Sequence, residues 1–139
     1  MKVNFDIIDN YAIEINGRLI DLHNNFDFVG FDYRVVEREI TLHWKKSKGD
    51  WVNKHEISNL MLTHIGVSFL EAIEHEQNSI RDEKTCLSEI TFFPSAEREI
   101  DDCFIPKRRP NSDDDIIYFF VNGLTIKIHC EQVELNLTL

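Results

Sequence analysis

The sequence of 139 residues has few of the residues that break regular structure or form covalent frameworks. It contains five glycines, three prolines and three cysteines, against 42% hydrophobic and 11% aromatic residues. Such a composition excludes a disordered or low-complexity chain. Three scattered cysteines, an odd number, are not typical of a disulfide framework and indicate free thiols in a reducing compartment. The length predicts a single domain, residues 1–139, with one hydrophobic core.

Long hydrophobic runs are also missing. No stretch reaches the roughly 18 consecutive apolar residues of a transmembrane helix. The amino-terminal stretch MKVNFDIIDN carries Asp6 and Asp9, where a signal peptide needs an unbroken apolar segment. These absences predict a cytoplasmic protein without a membrane partner.

Basic residues are the third shortage. Fifteen Lys and Arg face 25 Asp and Glu, which gives a formal charge of −10. Residues 1–69 carry ten acids and eight bases, and residues 70–139 carry fifteen acids and seven bases, so most of the excess lies in the second half. Long-range repulsion of polyanions then predicts no nucleic-acid ligand. The acidic half either serves solubility or forms a docking face for a basic protein partner.

The strongest local signals in the sequence are those of β-hairpins. Asn122-Gly123 separates two apolar runs and predicts a β-hairpin with a type I′ turn. Residues 124–130 alternate apolar and polar side chains, as in a strand with one wet face, whereas residues 116–121 are apolar on both faces and predict a central strand covered on both sides. Asn16-Gly17 predicts a second hairpin near the amino terminus.

Alternation recurs in residues 31–35, in residues 38–44 and in the tail, residues 133–139. The sequence therefore predicts a mainly β fold of about eight to ten antiparallel strands, arranged as a two-sheet sandwich or an open barrel. At most one or two short helices are expected. The segment near residues 67–80 is their expected place, because its Glu, Ala and Leu residues also suit a helix.

Residues 94–115 form the one long irregular segment, which contains all three prolines. Loops of this length are often functional, and partly exposed aromatic residues make good interface anchors. Seven residues are accordingly predicted to contact a partner: Trp44, Trp51, Asp101, Asp102, Asp113, Asp114 and Asp115. The base cluster at 107–109 is expected to pair with the flanking acids rather than to bind phosphate.

No catalytic, metal-binding or cofactor-binding residue is predicted. Six histidines invite a zinc hypothesis, but their spacing fits no metal motif, and His43, His64 and His129 converge only if their strands are neighbours with the same face forward. Cys130 continues an apolar stripe and is expected to be a small buried residue. The acid run 113–115 lacks the glycine and the later glutamate of a calcium loop.

Four segments carry a resemblance: REITLHW, NLMLTHIGVSFLEAI, LSEITFF and LTIKIHCEQVELNL, which together span residues 38–139. Their pattern is an E-I-x-L strand, a later apolar segment with a central Gly, and a terminal strand pair. This pattern resembles small bacterial domains of unknown function, among them immunity proteins of polymorphic toxin systems. The resemblance implies a protein that binds and blocks a toxin domain, and it carries no catalytic residues.

The sequence as a whole favours a non-enzymatic protein-binding domain. The alternative is an enzyme or small-ligand-binding β domain whose site lies between the sheets. A homodimer is a further expectation, because the regular last strand could pair with a second copy at a sheet edge.

Overall fold

A computed structural model describes residues 1–74, 86–100 and 104–138. Twelve strands are found among these residues: β1 (Lys2–Val3), β2 (Asp6–Ile8), β3 (Ala12–Ile15), β4 (Arg18–Asp21), β5 (Phe26–Arg34), β6 (Glu39–Lys46), β7 (Asn59–Ile65), β8 (Phe69–Ile73), β9 (Leu87–Pro94), β10 (Asp114–Phe120), β11 (Thr125–His129) and β12 (Gln132–Thr138). Two short helical segments accompany them, α1 (Leu22–Asn25) and a 3-10 helix (Ser95–Glu97).

The strands form three sheets. The largest has five strands in the order β1-β12-β7-β6-β5, the second has four in the order β8-β11-β10-β9, and the third contains β2-β3-β4. Every pair is antiparallel except β1 and β12, which run parallel. The predicted mainly β, antiparallel class is confirmed.

The five- and four-stranded sheets pack face to face as a sandwich. Period-two alternation points one set of side chains from each sheet inward. Rings from opposite sheets meet in the middle, with centroid distances of 5.9 Å for Trp44 and Tyr118 and 4.6 Å for Phe28 and Phe120. The small third sheet closes one side of the same core with buried isoleucines: Ile7, Ile13 and Ile20.

Both predicted Asn-Gly hairpins form, but only the first has the predicted turn. Asn16 and Gly17 adopt φ of 52° and 77°, as a type I′ turn requires. In the second hairpin only Gly123 has positive φ, at 92°. Its N–H donates to the carbonyl of Phe120 at 2.9 Å, while the N–H of Phe120 donates to Leu124 at 2.9 Å. This is the three-residue loop with a glycine bulge, so the type I′ prediction was wrong there.

Strand number and helix position also differ from the prediction. Twelve strands replace eight to ten because β1 and β2 have only two and three residues, too few for periodicity to reveal. The helix lies at α1, where the Asp21 carboxylate accepts the N–H of Asn24 at 2.9 Å as an N-cap. Phe69–Ile73 is a strand, and residues 75–80 of the expected helix lie outside the described residues.

The last strand is less open than expected. β12 lies between β1 and β7. Beyond the end of β1, the Asn4 amide continues the edge: its Oδ1 accepts the N–H of Leu135 at 2.8 Å and its Nδ2 donates to the Leu135 carbonyl at 3.2 Å. A homodimer through β12, which stays a prediction, would therefore pair beyond Leu135 or displace these contacts.

Among the described residues, no helix has the length and apolar character to cross a membrane.

Candidate functional site

Three of the predicted partner residues are buried. Trp44 is 1% exposed, and Asp114 and Asp115 are fully buried. Buried side chains cannot contact a partner, so the prediction was wrong for these three. The alternation of β6 contained the signal for Trp44, because it shares a face with Ile40 and Leu42. Nothing in the local sequence marked the two aspartates as buried.

Trp51 and Asp113 are exposed, but they lie at opposite ends of the molecule. The Trp51 indole Nε1–H donates to the carbonyl of Asn24 at 2.8 Å, beside the start of β9. The Asp113 carbonyl accepts the N–H of Ser95, just beyond the end of β9, at 3.1 Å. The eight residues of β9 span about 23 Å. The two residues therefore belong to separate surfaces. Asp101 and Asp102 lie outside the described residues.

The outer face of the four-stranded sheet, here called the covered face, is overlaid by Arg98 and Phe104. Strand register places His129 opposite Phe69, and the His129 imidazole bonds the Asp115 carboxylate. The Phe104 ring packs on this face at 4.9 Å from the ring of Phe119. The predicted central strand, β10, is therefore covered on both sides, as expected.

A buried carboxylate organises the covered face. Asp115 accepts two hydrogen bonds from Arg98, from Nε at 2.8 Å and from Nη2 at 2.8 Å, and a third from His129 Nδ1–H at 2.8 Å. The Arg98 guanidinium also lies 3.7 Å above the ring of Phe69. Lys127 Nζ donates to the Arg98 carbonyl at 2.6 Å. Bidentate pairing of this kind fixes a side chain strongly and ties residues 95–100 to the sheet.

The base cluster 107–109 is also used within the fold. Lys107 Nζ lies 2.6 Å from buried Asp114. Arg108 and Arg109 both bond Asp6, at 3.1 and 2.9 Å, and Arg108 reaches Glu14 at 3.4 Å. Pairing with flanking acids was predicted correctly for Lys107. The arginines instead pair with acids of β2 and β3.

The His129 and Asp115 pair resembles the base and orienting carboxylate of a catalytic site. His129 lines an open cleft of about 370 Å³ together with Ser68, Ser112 and Glu131. The Ser68 hydroxyl, however, donates to the backbone carbonyl of His129 at 3.4 Å and not to its imidazole. Among the described residues no hydroxyl or thiol hydrogen-bonds this imidazole, so the activated nucleophile of covalent catalysis is not assembled.

The surroundings of the two described cysteines make both thiols unreactive. Cys86 Sγ is 3.7 Å from His23 Nδ1, but that nitrogen donates to the Leu87 carbonyl at 2.6 Å and cannot take the thiol proton. Burial and the nearby Asp27 charge raise the pKa of Cys86. Burial raises the pKa of Cys130 to about 12, and this side chain packs in the core as predicted. Cys103 lies outside the described residues.

The three histidines that would have to converge for a zinc site lie in three different places. His43 is on the outer face of the five-stranded sheet, 3.2 Å from Asp32, and His129 is on the covered face. His64 is buried between the sheets, where Nδ1–H donates to the Ile40 carbonyl at 2.9 Å and Nε2 accepts the Tyr118 hydroxyl at 2.8 Å. Within the described ranges, no group of three or more His, Cys, Asp or Glu residues could hold a metal ion.

Burial also decides the protonation of His64. Desolvation lowers its pKa from 6.5 to about 4. The imidazole is therefore neutral at physiological pH, which fits one nitrogen that donates and one that accepts.

A second cationic cluster lies in residues 45–54, here called the lysine loop. None of its four lysines forms an ion pair with a described residue: Lys45, Lys46, Lys48 and Lys54. The loop is anchored by the Ser47 N–H, which donates to the Asn25 carbonyl at 2.9 Å, and it presents Trp51 with 69% of its surface exposed.

No protein-family model matches this chain, and neither a curated protein nor a solved structure is significantly similar to it. Its function is therefore inferred from the geometry and charges of its own residues.

Proposed function

We propose that this protein is a non-enzymatic binding domain that engages a basic protein partner through carboxylates on its second half, in the manner of an immunity-type inhibitor of a toxin. The observation that carries the proposal is the inward pairing of Arg98. Asp115 draws the Arg98 side chain into the covered face, while the neighbouring Glu97 and Glu99 stay exposed.

Asp113 extends this acidic surface, which consists of Glu97, Glu99 and Asp113. The hydrogen bond between Asp113 and Ser95 holds the two backbone segments together. No ion pair within the described part of the chain neutralises these three carboxylates. Because the backbone beneath them is fixed by Arg98, they meet a partner with little loss of conformational entropy.

The described cations of the second half do not offset this surface, because each of them is engaged within the fold. Arg98, Lys107, Arg108 and Arg109 pair with the acids described above. Lys127 Nζ is 3.9 Å from Glu71. An acidic face of this kind speeds encounter with a basic partner and occupies a cleft that would otherwise receive phosphates.

The test begins with capture of a partner from cells that naturally produce the protein. The captured protein is then purified and titrated against wild type and against a variant with Glu97→Gln, Glu99→Gln and Asp113→Asn. We expect a basic partner whose affinity falls as salt is raised and falls at least about tenfold in the triple variant. If the partner is an enzyme, its activity should fall on binding.

A charge-matched control neutralises three exposed acids of the first half, by Asp9→Asn, Glu37→Gln and Asp50→Asn. This control should bind like wild type, because only the position of the lost charges differs. An acidic partner, binding that does not respond to salt, or equal binding by both triple variants would contradict the proposal.

A further inference from the structure

We propose that the lysine loop is a second binding site, which takes single-stranded nucleic acid. One base stacks on Trp51, and the phosphates on either side contact the lysines. This site uses none of the residues of the acidic surface, and it does not depend on the proposed function.

The Trp51 ring is held in place and remains open. Its Nε1–H donates to the Asn24 carbonyl at 2.8 Å, and the six-membered ring lies against Gly49. A Cβ at position 49 would overlap that ring, so glycine permits this close approach. With 69% of the side chain exposed, the indole is a stacking platform that exists before a ligand arrives.

Most charges of the lysine loop around this platform are positive, and Asp27 lies opposite Lys45 in the β5–β6 register. Lys45, Lys48 and Lys54 are exposed, and Asp50 is the single acid in residues 45–54. Long-range repulsion by the whole acidic chain argued against nucleic acid, but charges farther than about 8 to 10 Å are largely screened at physiological salt. A phosphate at the lysine loop therefore responds mainly to the lysines beside it.

The state of the Trp51 ring favours a nucleic acid over an acidic peptide or an anionic membrane. Its N–H is already bonded within the fold, so the exposed 69% of the side chain offers aromatic carbon surface, whose π-electrons repel a carboxylate and stack with a base. A tryptophan at a membrane interface uses its polar N–H toward the head groups. The loop's other apolar side chain, Val52, is half-buried and adds little insertion surface.

The test is fluorescence anisotropy of a labelled oligothymidine at low salt, with the full chain. We expect binding that weakens as salt is raised. Trp51→Ala should reduce the affinity roughly five- to hundredfold through loss of stacking. Lys48→Gln with Lys54→Gln should weaken binding and lower the slope of log affinity against log salt by roughly 1.4, about 0.7 for each lost phosphate contact.

Matched controls separate local contact from net charge. Arg108→Gln with Arg109→Gln removes the same two charges from a cluster paired within the fold, and binding should not change. Gly49→Ala, which displaces the ring while keeping every lysine, should weaken binding without altering the salt slope. Each variant is accepted only if its denaturation midpoint matches that of wild type.

Four results would overturn the assignment. These are no binding at low salt, equal affinity for duplex and single-stranded DNA, full binding by Trp51→Ala, and equal losses in the two double variants. Poly-glutamate or phosphatidylserine vesicles serve as competing probes. If either binds through Trp51 while oligothymidine does not, the site belongs to that class of ligand instead.

Discussion

Two cationic clusters of this protein look alike in sequence and behave differently in the fold. Residues 107–109 contain three consecutive bases, and the lysine loop contains four within ten residues. Every cation of the first cluster pairs with a carboxylate of the same chain, whereas none of the second forms an ion pair with a described residue. A basic run therefore says little about available charge until its neighbours are known.

The difference comes from where each cluster lies. Residues 107–109 lie between the start of β10 and strands β2 and β3, next to Asp6, Glu14 and Asp114. The lysine loop comprises the last two residues of β6 and the segment that follows them toward β7, at the end of the sandwich where α1 lies. Removal of paired and unpaired cations should then have different consequences for stability and reactivity.

The largest loss of stability is expected when the ion pair between Arg98 and buried Asp115 is broken. Arg98→Ala leaves Asp115 with His129 as its side-chain partner among the described residues, and it also removes the contact with Phe69. The free energy of unfolding should fall by about 4 kcal/mol, the usual cost of removing one partner of a buried ion pair. Urea denaturation at neutral pH measures it. Arg109→Ala, at an exposed pair, is the control, and equal losses in the two variants would contradict the prediction.

A pH dependence should follow from His64, the ionisable group that the core keeps neutral. Its pKa is about 4 in the fold and 6.5 in the unfolded chain. Between these values the unfolded state binds a proton that the folded state does not, so stability should fall as pH drops from 6.5 toward 4. The expected loss is about 3 kcal/mol.

Urea midpoints measured across this window test the effect. Carboxylates also titrate near its lower end, so the contribution of His64 is the difference between wild type and His64→Gln. The glutamine amide can still donate and accept but has no proton to gain. Parallel pH profiles for the two proteins would show that His64 is not the source.

Phe104→Ala should have a smaller effect, because this side chain is only half-buried. It removes ring contacts with Phe93 and Phe119, whose centroids are 5.3 and 4.9 Å away. We expect a loss of about 2 kcal/mol, below the full cost of a buried phenylalanine. Amide hydrogen exchange at Ile117, beneath the covering segment, should also speed up. Ile105→Ala, at a residue 82% exposed, should change neither quantity.

The smallest change in stability is expected for substitution of an exposed lysine. The reactivity of the lysines also gives the most direct comparison of the two clusters. Limited acetylation followed by mass spectrometry should modify Lys48 and Lys54 several-fold faster than Lys107 and Lys127. The Lys107 Nζ is bonded to the buried Asp114 carboxylate at 2.6 Å, and the Lys127 side chain is only 6% exposed. Lys48→Gln should leave the denaturation midpoint unchanged. Equal labelling of all four lysines would remove the distinction between the two clusters.

The sequence predicted more of the fold than of the candidate sites. Asn16-Gly17 and Asn122-Gly123 marked both hairpins, and the apolar run 116–121 marked the central strand. The acidic surface was only partly anticipated, through Asp113. Its neighbours Glu97 and Glu99 gave no signal, because their exposure depends on Arg98 pairing inward with a residue seventeen positions away.

The sequence by itself determined which side chains alternate inward and outward, since that period is a local property of an extended chain. It thus decided the β class, the hairpins and most of the core. Only the tertiary structure decided which charges meet: Arg108 and Arg109 pair with Asp6 across 102 and 103 residues. Such partners are brought together by strand order and sheet packing, which no local pattern encodes. The same packing leaves the lysine loop without an ion pair to any described carboxylate.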